Sequence, residues 1–146
     1  MAMLHDPQTR ASIETRIQTL TPDAHGRWGK MTVDQMLWHC SQAIATSLGE
    51  IPTQPMTVPL PKAAVKFIVL NLPWVKGSPT APDFLATTQY DFETERQRTL
   101  DLVSRFASRP LNSEWARHPA FGAMSGDEYS RLHAKHLNHH LTQFGV

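Results

Sequence analysis

Histidines crowd the end of this sequence, in the run His133-Ala-Lys-His136-Leu-Asn-His139-His140. Successive residues of a helix step about 100° around its axis, so positions i, i+3 and i+7 share an arc of roughly 60°. His133, His136 and His140 occupy those positions, and Tyr129 and Phe144 fall on the same arc with Leu137 beside it. These imidazoles are therefore expected to face a core, while His139, on the side of Leu132, is expected to be peripheral. Each buried imidazole brings a donor and an acceptor that need partners, and a metal ion would supply one. His136 and His140 are four apart, the separation at which imidazoles on adjacent turns chelate one cation. Leu137 stands where the helical His pair of a zinc protease is followed by glutamate, which speaks against proteolysis of that type.

A third ligand must come from another helix, and His39 is the strongest candidate. It flanks an apolar stripe that includes Met36, Cys40 and Ala43, and helical bundles build metal sites from side chains on facing helices. Three imidazoles leave one or more positions for water or substrate, as a catalytic ion requires. Plainer readings stand beside this one. The i, i+4 pair also reads as two polar residues at a wet helix edge, or as a weak surface site loaded during metal-affinity purification, and His39 alone reads as an ordinary satisfied histidine. Cys40 points about 100° away from its neighbour His39, so the two do not form a nucleophile and base; it reads as a structural cysteine. His133, one turn before His136, is placed either to shuttle protons beside the ligands or to be a core histidine. His118 and Phe121 either line the mouth of the site or anchor their loop.

The elements that must position these residues can be read from their boundaries. Asp6-Pro7 is an N-cap followed by proline at the first helical position; Ile13, Ile17 and Leu20 continue at helical spacing until Thr21-Pro22. After a polar connection from Asp23 to Lys30, Thr32 and Gln35 form a capping box, and an apolar stripe runs from Val33 to Leu48 and stops at Gly49. Seven of the eleven prolines lie between Pro52 and Pro82, which predicts an irregular excursion. One short helix, Lys62 to Asn71, is expected inside it as a plug over the core, in preference to a membrane-surface element. The next helix is predicted from Asp91 to Phe106, with Phe92, Leu100, Val103 and Phe106 inward and Glu93, Glu95, Arg96 and Arg98 solvated. Ser125 and Glu128 form a second capping box before the last helix, Tyr129 to Phe144. Four amphipathic helices with almost no strand signal point to an all-α four-helix bundle.

Composition bounds the rest. A chain of 146 residues with 40% apolar content builds one domain, spanning residues 1–146. Fourteen basic and thirteen acidic side chains, net charge +1, advertise neither nucleic acid nor an anionic membrane as partner. A single cysteine cannot form an internal disulfide, and the start from Met1 to Arg10 lacks the apolar run of a signal peptide, so a cytoplasmic protein is expected. The greasiest stretch, Ala63 to Leu72, is interrupted by Lys66 and Asn71 and is too short to span a bilayer.

Three segments together resemble a known superfamily. Trp28-Gly29-Lys30-Met31-Thr32-Val33 leading to Met36-Leu37-Trp38-His39-Cys40, then His118-Pro119-Ala120-Phe121-Gly122, then Leu132 through Gly145 are similar to the DinB/YfiT-like metalloenzymes, and more closely to a bacterial family of this length within them. The resemblance covers nearly the whole chain. It implies a four-helix bundle with up-down-down-up connection, whose crossover would be the proline-rich segment. It also implies a divalent metal, often nickel or zinc, on one histidine of the second helix and a His-x-x-x-His pair of the last, which correspond to His39, His136 and His140. Characterised relatives are transferases and isomerases that use a low-molecular-weight thiol: mycothiol, bacillithiol or glutathione. Such bundles commonly dimerise, although no surface stripe here marks an interface.

Two enzyme classes and one non-enzyme follow. A thiol held as thiolate would attack a small electrophilic substrate; alternatively, activated water would hydrolyse one; or the protein binds metal without catalysis, as in a stress-response role. His5 and His25 join His139 as expected bystanders.

Overall fold

The computed structural model describes residues 1–78 and 80–146. It contains five α-helices, α1 (Pro7–Thr19), α2 (Val33–Ser47), α3 (Lys62–Asn71), α4 (Phe92–Ser108) and α5 (Gly126–Gln143), with a 3₁₀ turn at Pro82–Phe84 between α3 and α4. Among the described residues there is no strand, and the one backbone bridge outside the helices closes the His118–Gly122 turn. No helix among them is long and apolar enough to cross a membrane.

Local chemistry sets the helix ends. Asp6 accepts the Thr9 amide at 2.8 Å and Asp91 accepts that of Thr94 at 2.9 Å, each satisfying an orphan donor of the first turn. The amide of Thr32 donates to Gln35 Oε1 across 3.0 Å. Gly49, just beyond α2, adopts φ +80°, the left-handed conformation that stops a helix. At α5 the box is reciprocal: Glu128 N–H donates to Ser125 Oγ and Ser125 N–H donates to Glu128 Oε2. That cap starts α5 at Gly126, about a turn before the Tyr129 start expected from the apolar pattern. Likewise α4 continues past Phe106 to Ser108, until Arg109 turns extended ahead of Pro110.

α2 packs along α4, α1 lies against α4 and α5, and α2 also meets α5. One cluster of buried side chains runs through these helices, from Leu4 and Ile17 through Leu37, Ile44, Leu102 and Phe106 to Tyr129 and Leu141. Arg16 on α1 reaches Asn138 Oδ1 on α5 at 2.8 Å and ties the outer edge of that pair.

Two expectations change. Glu95 is buried, not solvated: it pairs with Arg98 at 3.5 Å, and Arg98 in turn donates to Ser41 Oγ and Gln42 Oε1. A charge at the α2–α4 contact is retained because this network crosses it. The short helix α3 has the predicted bounds but is a thin plug. Only Leu70 is buried, while Phe67 is 63% and Ile68 42% exposed. Lysines clip α3 down: Lys66 donates to the Ala123 carbonyl and pairs with Glu128, and Lys135 donates to the Val69 carbonyl.

Candidate metal centre

His39 sits on the buried face of α2, and His136 and His140 sit one turn apart on α5. Packing of α2 on α5 brings them together, with ring centroids 4.7 Å apart for His39 and His136, 4.8 Å for His39 and His140, and 4.7 Å for His136 and His140. One nitrogen from each ring lies within 4.8 Å of the other two. His39 and His140 are buried, and His136 is intermediate in exposure.

Hydrogen bonds orient two of the rings. His39 Nδ1 lies 2.7 Å from the carbonyl of Phe84, and His140 Nδ1 lies 2.7 Å from Gln143 Oε1. Both partners accept only, so each Nδ1 carries the proton and each Nε2 keeps its lone pair. The His39 lone pair faces the gap between the helices, where it accepts a hydrogen bond from Nε2 of His136 across 2.8 Å, a proton that an incoming ion would displace. Burial lowers the pKa of all three, His140 to about 3 and His136 well below the usual imidazole range; repulsion from the other rings of the group adds to it at His136 and His140, and repulsion from His139 at His39. They are neutral near pH 7, the state that ligates metal.

These residues fit a divalent ion. Zinc–nitrogen bonds of about 2.0–2.1 Å in tetrahedral geometry space the nitrogens roughly 3.3 Å apart; the present spacings, from 2.8 Å to at most 4.8 Å, bracket that value. The outward hydrogen bonds of His39 to a carbonyl and of His140 to an amide are the support metal-ligating imidazoles ordinarily have.

The other expected site residues fall into separate places. His133 is fully buried, with Nε2 2.9 Å from Ser47 Oγ, its ring stacked on Tyr129 and edge-on to Phe106, and Nδ1 without a partner among the described residues. His118 stacks on Phe121 with centroids 4.0 Å apart, accepts the Ala120 amide at Nδ1, and faces the Phe84 ring at 5.9 Å. Phe84 thus touches that pair through its ring and His39 through its carbonyl. Cys40 is buried, its thiol pKa pushed up by burial. Of the bystanders, His25 is exposed. His139 lies between Trp28 and Trp74, at 5.6 and 5.3 Å. His5 has a structural task, bridging Ser130 Oγ and the Arg109 carbonyl.

Sequence reasoning missed Phe84, Gln143, Trp28 and Trp74. Gln143 alone carried a signal, its i+3 spacing from His140. Phe84 contributes a main-chain carbonyl, which residue type does not advertise.

Fold and site together define an all-helical protein in which two helices present three imidazoles that could hold a metal ion. A family model described as "Protein of unknown function (DUF1569)" matches residues 7–145, and the chain belongs to that family. No curated protein and no solved structure matches it.

Proposed function

We propose that the protein is a divalent-metal enzyme in which His39, His136 and His140 hold zinc or nickel and a low-molecular-weight thiol is transferred to a small electrophilic substrate. The observation that carries this reading is the convergence of three neutral imidazoles, two with Nδ1 engaged by an acceptor so that Nε2 is left to ligate. Helices α1, α2, α4 and α5 make the four-helix bundle of the DinB/YfiT-like type, connected up-down-down-up, and the excursion containing α3 is the crossover. An ion held by three uncharged ligands would keep its full charge and acidify a bound thiol or water. The chain's own groups then orient and exclude. Phe84 and Gln143 hold the rings of His39 and His140, and the partly exposed side of His136 admits the substrate. Trp74, 5.7 Å from the His136 ring, shields that approach. His118 and Phe121 border the Phe84 side of the site. His133, held by Ser47 in the interior one turn before His136, is assigned the supporting role in proton movement.

A thiol is favoured over water because the partners of His39 and His140 are a main-chain carbonyl and an amide. Among the described residues no carboxylate is hydrogen-bonded to the three imidazoles and positioned there as a general base.

The test is turnover of a panel of electrophiles and esters by tag-free, zinc- or nickel-loaded protein, with and without added thiols. Consumption that requires the thiol supports the proposal. Hydrolysis without thiol replaces it with the water chemistry, and a loaded protein inert in every arm leaves a metal-binding protein without catalysis.

A further inference from the structure

Gln143, in the last turn of α5, is 3% exposed, and both ends of its amide have partners. Its Nε2 donates to the carbonyl of Trp28 across 2.8 Å, and its Oε1 lies 2.7 Å from Nδ1 of His140. A carbonyl only accepts, so Trp28 forces the NH₂ group of the amide toward the loop and the oxygen toward His140. The oxygen in turn forces the proton of His140 onto Nδ1. The loop holding Trp28 is pinned to the same residue: Arg27 N–H donates to the main-chain carbonyl of Gln143 at 2.7 Å. Gly29 adopts φ +80°, and a Cβ there would come within 2.7 Å of the Gln143 amide nitrogen. Only glycine lets loop and amide approach this closely.

We propose that Gln143 is a positioning residue, clamped by the loop Arg27–Gly29, which selects the tautomer of His140 whose Nε2 is free to ligate. The amide is suited to this because it accepts the Nδ1 proton without the negative charge that would favour an imidazolium. The role rests on the reading of His39, His136 and His140 as a metal site, but the tautomer itself exists without metal, so the two are tested apart.

Long-range ¹H–¹⁵N NMR of the metal-free protein reads the His140 tautomer, and competition titration reads zinc affinity. Wild type is expected to carry the proton on Nδ1. In Q143M, near in shape but without the acceptor, the Nε2-protonated form should appear and zinc affinity fall about 10–100-fold. Q143E keeps an acceptor toward Nδ1 and should recover most of the affinity, although its carboxylate opposes the Trp28 carbonyl. A mere packing role makes Q143E at least as damaging as Q143M. Should Q143M fail to fold, G29A keeps the side chains of Gln143 and His140 chemically unchanged, pushes the amide from the loop side, and is read the same way. A wild-type His140 protonated on Nε2, or a tautomer and affinity unmoved in Q143M, overturns the proposal. Wild type with the expected tautomer that binds no zinc refutes the metal reading and leaves the role of Gln143 in the tautomer standing.

Discussion

The Nδ1 atom of His39 lies 2.7 Å from the main-chain carbonyl of Phe84, so a residue in the middle of α2 is oriented by the end of the proline-rich excursion, where it runs from α3 into α4. The excursion therefore bears on the site and is more than a connection. Its 3₁₀ turn at Pro82–Phe84 fixes where the carbonyl points, and the Phe84 ring carries that placement on to His118. With Gln143 acting on His140 from the opposite side, two of three imidazoles are aimed before anything binds, which lowers the ordering cost of ligation.

Metal binding should depend on His136 and not on His139. His136→Ala is expected to abolish stoichiometric zinc or nickel binding by tag-free protein, measured by elemental analysis after gel filtration. His139→Ala, which removes a ring lying between Trp28 and Trp74, should leave it nearly intact. The reverse order would sink the assignment.

Zinc should also stabilise the fold. At free zinc a hundredfold above the dissociation constant the gain is about 2.7 kcal/mol, a rise of roughly 5–10 °C in midpoint for a chain of this length. Calorimetry of wild type and His39→Ala checks it: the rise should be present in the first and absent in the second, and an unmoved wild-type midpoint would falsify the site.

Acid should destabilise the metal-free protein through its buried histidines, His140 and His136 of the site and, apart from them, His133. Burial lowers its pKa from 6.5 to about 3, so between those values the unfolded chain binds a proton that the folded one refuses. Stability is then full above about pH 6.5 and falls as pH drops toward 3, by about 1.4 kcal/mol per pH unit for each such histidine. His118, lowered to about 4 by burial with Lys62 adding to it, contributes in the same direction over a narrower window. Urea unfolding from pH 6 to pH 4 should show the slope, and His133→Gln should flatten it by about one histidine's worth.

Gly126→Ala should destabilise the protein by about 1–3 kcal/mol, against the usual gain from alanine in a helix. A Cβ at Gly126 would strike the Leu111 carbonyl and come within 2.7 Å of Trp115 Nε1. Denaturant midpoints check this; a variant as stable as wild type would show that the loop before α5 yields freely.

Local chemistry wrote most of the helices into the chain. Capping side chains at Asp6, Thr32, Asp91 and Ser125, prolines at the ends and glycine at position 49 act on neighbours within a turn, so the bounds of α3 and the start of α2 were legible without any tertiary contact. The same holds for the arc bearing His133, His136 and His140, because helical periodicity alone sets it. Where one helix lies against another was not legible in this way. Residues 97 apart come to 2.8 Å at His39 and His136 only because α2 and α5 bury their stripes against each other, and hydrophobic burial has no sequence address. Nor does residue type announce a main-chain carbonyl, which every residue has. Glu95 shows the same limit from the other side: a charged side chain on an amphipathic helix reads as solvated until the packing of α2 puts Arg98, Ser41 and Gln42 around it. Histidine content and spacing determined that a ligand pair was on offer; the packing of α2 on α5, the turn at Phe84 and the loop at Trp28 decided which lone pairs meet.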